Sequence, residues 1–543
     1  MSIESFNPAA STSSHDEQVS NVKETIESIL VAFILAFIFR AFVVEAFVIP
    51  TGSMATTLLG AHMRFRCPDC GYQFDVNYQA ANPQDADDMQ IPAEGFPSSD
   101  VYCPNCGYRV ASRDDLQPVR FGDRILVLKY IYLLHPPRRW DVVVFKAPDR
   151  PEETHYTQNF IKRLVGKPGE SLEILDGDVY VQTRDDPVWR VQTKPRDVQE
   201  AMWRLVYNND YMPQGLPRDG MSAWEQPWKQ DGGTGWNTGA GAGDGRVFHF
   251  DNAAGSGELD FDPNANSTTQ TLTDYLAYDA SPQFTRRPGP VGSPDDEQAW
   301  PVSDLKLAAY YHRTAGDGVL KLMLTKHVDV DHTFTAEISP DSLRLMHRTN
   351  FEEKQIGPTI KLADLGIRAG DPIYIEFQNV DYQVTLRING QDVLQTTPAD
   401  YSPDVQWLTK QWENRIRSRG GEAAIVAENQ TCTLDHVGLW RDVYYTNRQR
   451  DGAPFMWASP SSPMVLGDNE YFVMGDNSEV SADARYWSEP IELPREGLDV
   501  KSGRVPAQFL LGQAVFVYWP AGFRAFDTKL SVVPDFGDMR WIH

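Results

Sequence analysis

Hydrophobic and polar positions along this chain fall into three rhythms. The first is an unbroken apolar run, Ile29-Leu30-Val31-Ala32-Phe33-Ile34-Leu35-Ala36-Phe37-Ile38-Phe39, followed by a second apolar stretch that carries Arg40 and Glu45 and ends at Ile49. Its length predicts a membrane-spanning helix over 26–49. Arg40 would lie near the outer end, where its head can snorkel to the interface. Residues 1–25 are rich in Ser, Ala, Glu and Asp and predict a disordered tail. That acidic lead is unlike the basic start of a cleaved signal peptide. Charge does not settle orientation, because Lys23 stands among acids.

The second rhythm is short apolar runs bounded by turns. Gly122-Asp123 precedes Arg124-Ile125-Leu126-Val127-Leu128-Lys129, and Trp140–Ala147 is stopped by Pro148. Phe160–Val165 runs into Lys167-Pro168-Gly169, and Leu172–Val181 reads as a hairpin about Asp176-Gly177. From about Trp300 strands recur: Leu305–His312, Val319–His327, Thr333–Ile338, Ser342–His347, Pro372–Phe377, Tyr382–Ile388 and Val437–Tyr445. Asn389-Gly390 marks a tight hairpin between two of them. The fold class is therefore mainly β, with a β-sandwich at about 300–446 that resembles the concanavalin and laminin-G type. The third rhythm is hardly one: residues 184–286 are rich in Gly, Asp, Asn and Trp and show weak periodicity.

With 543 residues the chain exceeds one ordinary domain, and its net charge of −25 argues against a nucleic-acid partner. Four of its five cysteines form near-identical knuckles, Cys67-Pro68-Asp69-Cys70-Gly71-Tyr72 and Cys103-Pro104-Asn105-Cys106-Gly107-Tyr108. Four thiolates make a closed tetrahedral zinc site, and the glycine after each pair permits the tight turn toward sulfur. The module resembles a zinc ribbon with a lengthened loop at Ala80–Ala93. Such a site is structural, since no open position remains for chemistry. Two disulfides are the alternative that an oxidising compartment favours.

Ser53 follows Thr51-Gly52 just where the apolar run surfaces. A serine is a poor nucleophile without a nearby base. His62, His135 and His155 are isolated and read as surface or loop residues. Lys162 alternates with Phe160 and Leu164 along one strand face. A lysine held against apolar surface loses some of its preference for the charged form and can take a serine proton.

At this point the blocks fall into a known order. Thr51-Gly52-Ser53-Met54, Gly122-Asp123 with Lys129, Asp141–Phe145, Lys162–Gly169, and Gly475-Asp476-Asn477 with Ser481, Asp483 and Arg485 resemble the bacterial type I signal peptidases, which are Ser/Lys-dyad membrane proteases. The resemblance implies Ser53 as nucleophile and Lys162 as general base, with no cofactor in catalysis. It implies an oxyanion hole from the Ser53 N–H and the Thr51 hydroxyl. Ser481 would orient the Lys162 amine. Asp483 would pair with Arg485, and Asp476 with Arg163. It further implies a single-pass protein of the cytoplasmic membrane, its tail inside and its β catalytic domain on the outer face. The partners are then membrane lipid and the signal peptides of secreted preproteins, cut after small residues in the Ala-x-Ala pattern.

On this reading the catalytic domain comprises 50–63, 118–183 and 463–543. It is split by the zinc-ribbon-like insert, 64–117, and by a large insert, 184–462. Departures from the family pattern include Trp140 for a usual glycine, Ala484 for a usual serine and Ser478-Glu479-Val480 for a usual Arg-Asp-Asn run. The competing function is a catalytically degenerate, surface-anchored module whose sandwich binds a glycan or a protein.

Overall fold

The computed structural model describes residues 23–34, 44–78, 91–147, 159–218, 222–239, 245–266, 272–279, 300–447, 456–488, 490–493, 498–524 and 531–543. The expected tail lies outside these except for its last residues. So does the centre of the expected membrane helix, 35–43. Residues 23–34 are helical and exposed. Among the described residues no helix is long and apolar enough to cross a membrane. The helix expected over 26–49 does not reach its predicted end. Val44–Val48 is a strand, paired antiparallel with Arg124–Lys129. The physical reason is on its edge: Glu45, unwelcome in a bilayer, meets Lys129 across the ladder at 2.9 Å.

An eight-stranded antiparallel sheet takes strands from both ends of the chain. Its order is Val44–Val48, Arg124–Lys129, Leu510–Trp519, Val142–Lys146, Asn159–Gly166, Glu470–Met474 and Val505–Pro506, with Arg540–Trp541 beside Leu510–Trp519. Both faces are covered, which explains the unbroken run Val142–Phe145. Val143 and Phe145 pack with Leu164, Phe472 and Met474 on one face. Val142 and Val144 pack with Ile125, Met54 and Leu58 on the other.

The hairpin Glu170–Leu175/Asp178–Thr183 fastens this sheet to the large insert. Its pleat sends Leu172, Ile174, Val179 and Val181 into the first core. Leu175 and Tyr180 enter the core of the insert. Glu173 stands opposite Tyr180 in the ladder and is 4% exposed. Burial pushes its carboxyl up to about 7 from 4.5. Ionising it inside the fold is therefore unfavourable, and the penalty grows as pH rises from about 4.5 to 7. Glu173→Gln is expected to raise stability at pH 8 by up to about 3 kcal/mol. The gain should vanish at pH 4, which urea denaturation at the two pH values would check.

The insert is a thirteen-stranded sheet wrapped about one apolar core. Its axis is Ala423–Arg441, which pairs with Leu320–His327 and Leu305–Gly316 on one side and with Val247–Phe261 on the other. Asn389 and Gly390, at φ 48° and 80°, turn the expected hairpin. The sheet extends well beyond the expected bounds of about 300–446. Arg204–Asn208, Trp228–Gly233 and Val247–Phe261 all belong to it. Glycines at 232, 233, 255 and 257 interrupt their alternation, which hides these strands from a periodicity argument.

Candidate active site

Ser53 lies in a single 3-10 turn, Gly52–Met54, and Lys162 in the strand Asn159–Gly166. The lysine shares its face with Phe160 and Leu164, opposite Val143, and is 5% exposed. Its Nζ donates to Ser53 Oγ at 2.8 Å and to the Ile161 carbonyl at 3.0 Å. The Phe160 ring lies 5.6 Å from the same nitrogen. A hydroxyl and an amine are thus within proton-transfer distance, in a setting poor in water.

The turn that presents Ser53 is held from behind. Asn477 donates its backbone N–H to the Ser53 carbonyl at 3.1 Å and its side-chain amide to Gly52 O at 3.2 Å. Gly475 must be glycine here. A methyl at its Cα would fall 2.2 Å from Ser481 Oγ and 2.4 Å from Ser53 O. The Gly122-Asp123 block works similarly. A side chain at Gly122 would strike Ile49 O at 1.9 Å. Asp123, fully buried, accepts from Leu59 N–H at 3.0 Å and Arg540 at 2.8 Å.

Two buried ion pairs carry the loop 475–485. Arg163 and Asp476 meet in a fork, both bonds 2.7 Å, and Arg163 also donates to the Trp140 carbonyl at 2.7 Å. Trp140 sits at φ 78°, left-handed backbone that glycine adopts at no cost, which is why a tryptophan here reads as a departure. Arg485 grips Asp483 through two bonds of 2.8 Å. Burial alone would raise the Asp483 carboxyl, but Arg485 and the Gly475 N–H hold it below the ordinary carboxylate range. Arg485 also reaches Thr446 O at 2.7 Å and Ser478 Oγ at 2.8 Å. Ser478, from the divergent run, therefore joins the loop to the end of the large insert.

Ser481 is fully buried beside this turn, but its Oγ lies toward Asp483, and the expected bond to the Lys162 amine is not made. Thr51 is exposed with extended backbone at the start of the turn. His62 is not a surface residue: it is fully buried and bonded to Gly60 O at 2.8 Å. His135 is exposed, and His155 lies outside the described residues.

Sequence reasoning missed Asp279 and Tyr278. Asp279 accepts from Asn477 Nδ2 at 2.8 Å, and the Tyr278 ring lies against Gly52. Both come from the Gly/Trp-rich half of the insert, and no local pattern marks them.

The four knuckle cysteines converge, all Sγ atoms within 4.8 Å of one another. Cys67 and Cys106 are 3.7 Å apart, Cys70 and Cys103 3.6 Å. Gly71 and Gly107, at φ 80° and 71°, close the two turns. Asp69 and Asn105, the variable residues inside the knuckles, clasp the insert through Gln214, Arg218 and Asn208.

Comparison with known proteins bears on the whole arrangement. The family model for signal peptidase, peptidase S26, matches residues 107–215 and 370–519. Signal peptidase I of Leptolyngbya laminosa is 31% identical over 100 residues, 16% of this chain and 49% of that protein. Signal peptidase I of Pseudomonas aeruginosa is 35% identical over 86 residues, 16% of this chain and 26% of that protein. Over these segments the chain is similar to the type I signal peptidases. It matches about half, or less, of the length of these curated relatives. Among solved structures, the carbohydrate binding module CBM66 from Bacillus subtilis aligns with 40% of this chain and 96% of its own. Identity there is 10% and the TM-score 0.22, too low to add to the reading of the insert.

Proposed function

We propose that this chain is a membrane-anchored serine endopeptidase that removes N-terminal signal peptides from exported preproteins after small residues of the Ala-x-Ala pattern. The observation that carries the reading is the 2.8 Å contact between Lys162 Nζ and Ser53 Oγ at a buried strand face. Neutral Lys162 takes the hydroxyl proton as Ser53 Oγ attacks the scissile carbonyl. The oxyanion is met by the Ser53 N–H and the Thr51 hydroxyl. Lys162, now an ammonium, protonates the leaving amine, and an acyl ester on Ser53 remains. Water, deprotonated by Lys162, then releases the signal peptide and restores the serine. Asp483–Arg485 and Arg163–Asp476 position the loop behind the turn.

The apolar segment anchors the protein in the cytoplasmic membrane with the β domain on the outer face. The test is cleavage of a purified preprotein by the full-length chain in detergent. Cutting after the Ala-x-Ala motif is expected, with loss when the alanine before the bond becomes phenylalanine. Intact preprotein at every enzyme concentration would instead favour the degenerate binding module. Gly475→Ala is expected to lower cleavage by at least about 10²-fold, because the added methyl displaces the Ser53 carbonyl and misplaces the nucleophile. Steady-state kinetics beside circular dichroism separate that effect from unfolding.

The cysteine cluster holds a structural zinc. A tetrahedron with Zn–S bonds of about 2.3 Å has edges of about 3.8 Å, close to the 3.6 and 3.7 Å seen between knuckles. One zinc per chain is expected by elemental analysis, falling to near zero in Cys67→Ser/Cys103→Ser. Absence of zinc together with two disulfides by mass spectrometry would refute the site.

A further inference from the structure

A cavity of about 460 Å³ opens where the nucleophile loop, the cysteine module and the large insert meet. That volume suits a small organic molecule. Its charge is the reverse of the protein's: four arginines face two aspartates, in a chain of net charge −25. Both aspartates are already engaged, since Arg64 holds Asp75 at 2.8 Å and Asp538 at 3.0 Å. Arg540 is spent on Asp123 at 2.8 Å. That leaves Arg204 and Arg441.

Arg204 is 6% exposed and Arg441 4%. Among the described residues neither has a carboxylate within ion-pair distance. Arg441 donates to the carbonyls of Asp442 and Tyr275. Arg204 reaches the Ala55 carbonyl with one nitrogen at 3.3 Å, and its Nη1 is buried with no partner. Trp203 Nε1, on the same wall, is likewise a buried donor without an acceptor. Burial lowers both guanidinium groups, Arg441 to about 10, and outweighs the opposing pull of Asp476 and Asp442 on Arg204 and of Asp274 and Asp442 on Arg441, none of which forms an ion pair with them. Unsatisfied buried donors of this kind are rare and call for an acceptor.

We infer that the cavity is a binding site for a small organic anion: a carboxylate or phosphate held by Arg204 and Arg441, with a ring-sized apolar body against the aromatic wall. The site is separate from the Ser53–Lys162 pair and does not rest on the peptidase reading. It nevertheless touches the backbone two residues beyond Ser53, through Ala55.

Thermal unfolding of the full-length chain, in chloride-free buffer with detergent, tests it. The probes are benzoate, phenyl phosphate and neutral benzamide. A concentration-dependent rise in Tm with either anion and none with benzamide is expected, and the stronger anion tells carboxylate from phosphate. Arg204→Gln should weaken the response by about 10-fold or more in apparent affinity, as loss of a charged hydrogen bond implies. Should that variant not fold, Ala277→Phe fills the cavity with both arginines in place and should abolish the response. A benzamide shift equal to that of the anions, no shift with any probe, or an undiminished shift in the variants would overturn the proposal.

Discussion

Replacing Lys162 by alanine is expected to reduce preprotein cleavage by about 10²–10⁴-fold, the range for loss of a positioned general base. Ser53→Ala should do at least as much. If Ser53 and Lys162 act as one unit, the double variant should be no worse than the worse single. The geometry underlies this expectation: Lys162 Nζ is 2.8 Å from Ser53 Oγ, and the amine is nearly sealed from solvent. Lys162→Arg should not rescue, since a guanidinium stays protonated at working pH. Initial rates on an Ala-x-Ala preprotein, with circular dichroism as a control, read the result. Unchanged rates in both single variants would remove the dyad from the mechanism.

Arg485→Ala is expected to be the most destabilising single change in the site, by about 3–5 kcal/mol, with loss of cleavage. It strands Asp483, fully buried, beside the Gly475 N–H and nothing cationic. The pH dependence follows in sign. The folded Asp483 carboxyl titrates below its ordinary 3.8. Its contribution is complete above about pH 4 and is lost as pH falls through the folded value. In Arg485→Ala the buried carboxyl prefers its proton, so the deficit against wild type should shrink on acidification. Urea midpoints at pH 7 and pH 4 would show it. A deficit that is equal at both pH values would mean that Arg485 acts through Thr446 and Ser478, not through charge.

How much of this was legible beforehand depended on whether the signal was local. Lys162 stands out only through the ordered blocks around it, since its flanking by Phe160 and Leu164 is a weak signal alone. The strands Arg124–Lys129, Val142–Lys146 and Asn159–Gly166 are legible because turn residues punctuate them. Asp279 and Tyr278 were not, since they reach the Ser53 turn only through the way a long insert folds back. The strand Val44–Val48 was misread for a different reason. Hydropathy treats an apolar stretch as one object, and only the Glu45–Lys129 pair marks Val44–Val48 as strand. Ser481 shows a third limit. A family pattern assigns it a hydrogen bond, whereas the surrounding packing leaves its hydroxyl on Gly475.

The Arg163–Asp476 fork joins residues 313 positions apart. At ordinary synthesis rates, roughly 5–20 residues per second, about 15–60 s separate the emergence of its two halves. During that interval Ser53 and Lys162 are both present, but the loop that braces the serine turn does not yet exist. In a nascent chain the Ser53 turn therefore stands without its backing plate. Competence arrives only with the last tenth or so of the sequence, after the bulky insert has been made. The brace behind Ser53 is thus among the last parts of the chain to be made, so the proposed dyad gains its support only near the end of synthesis.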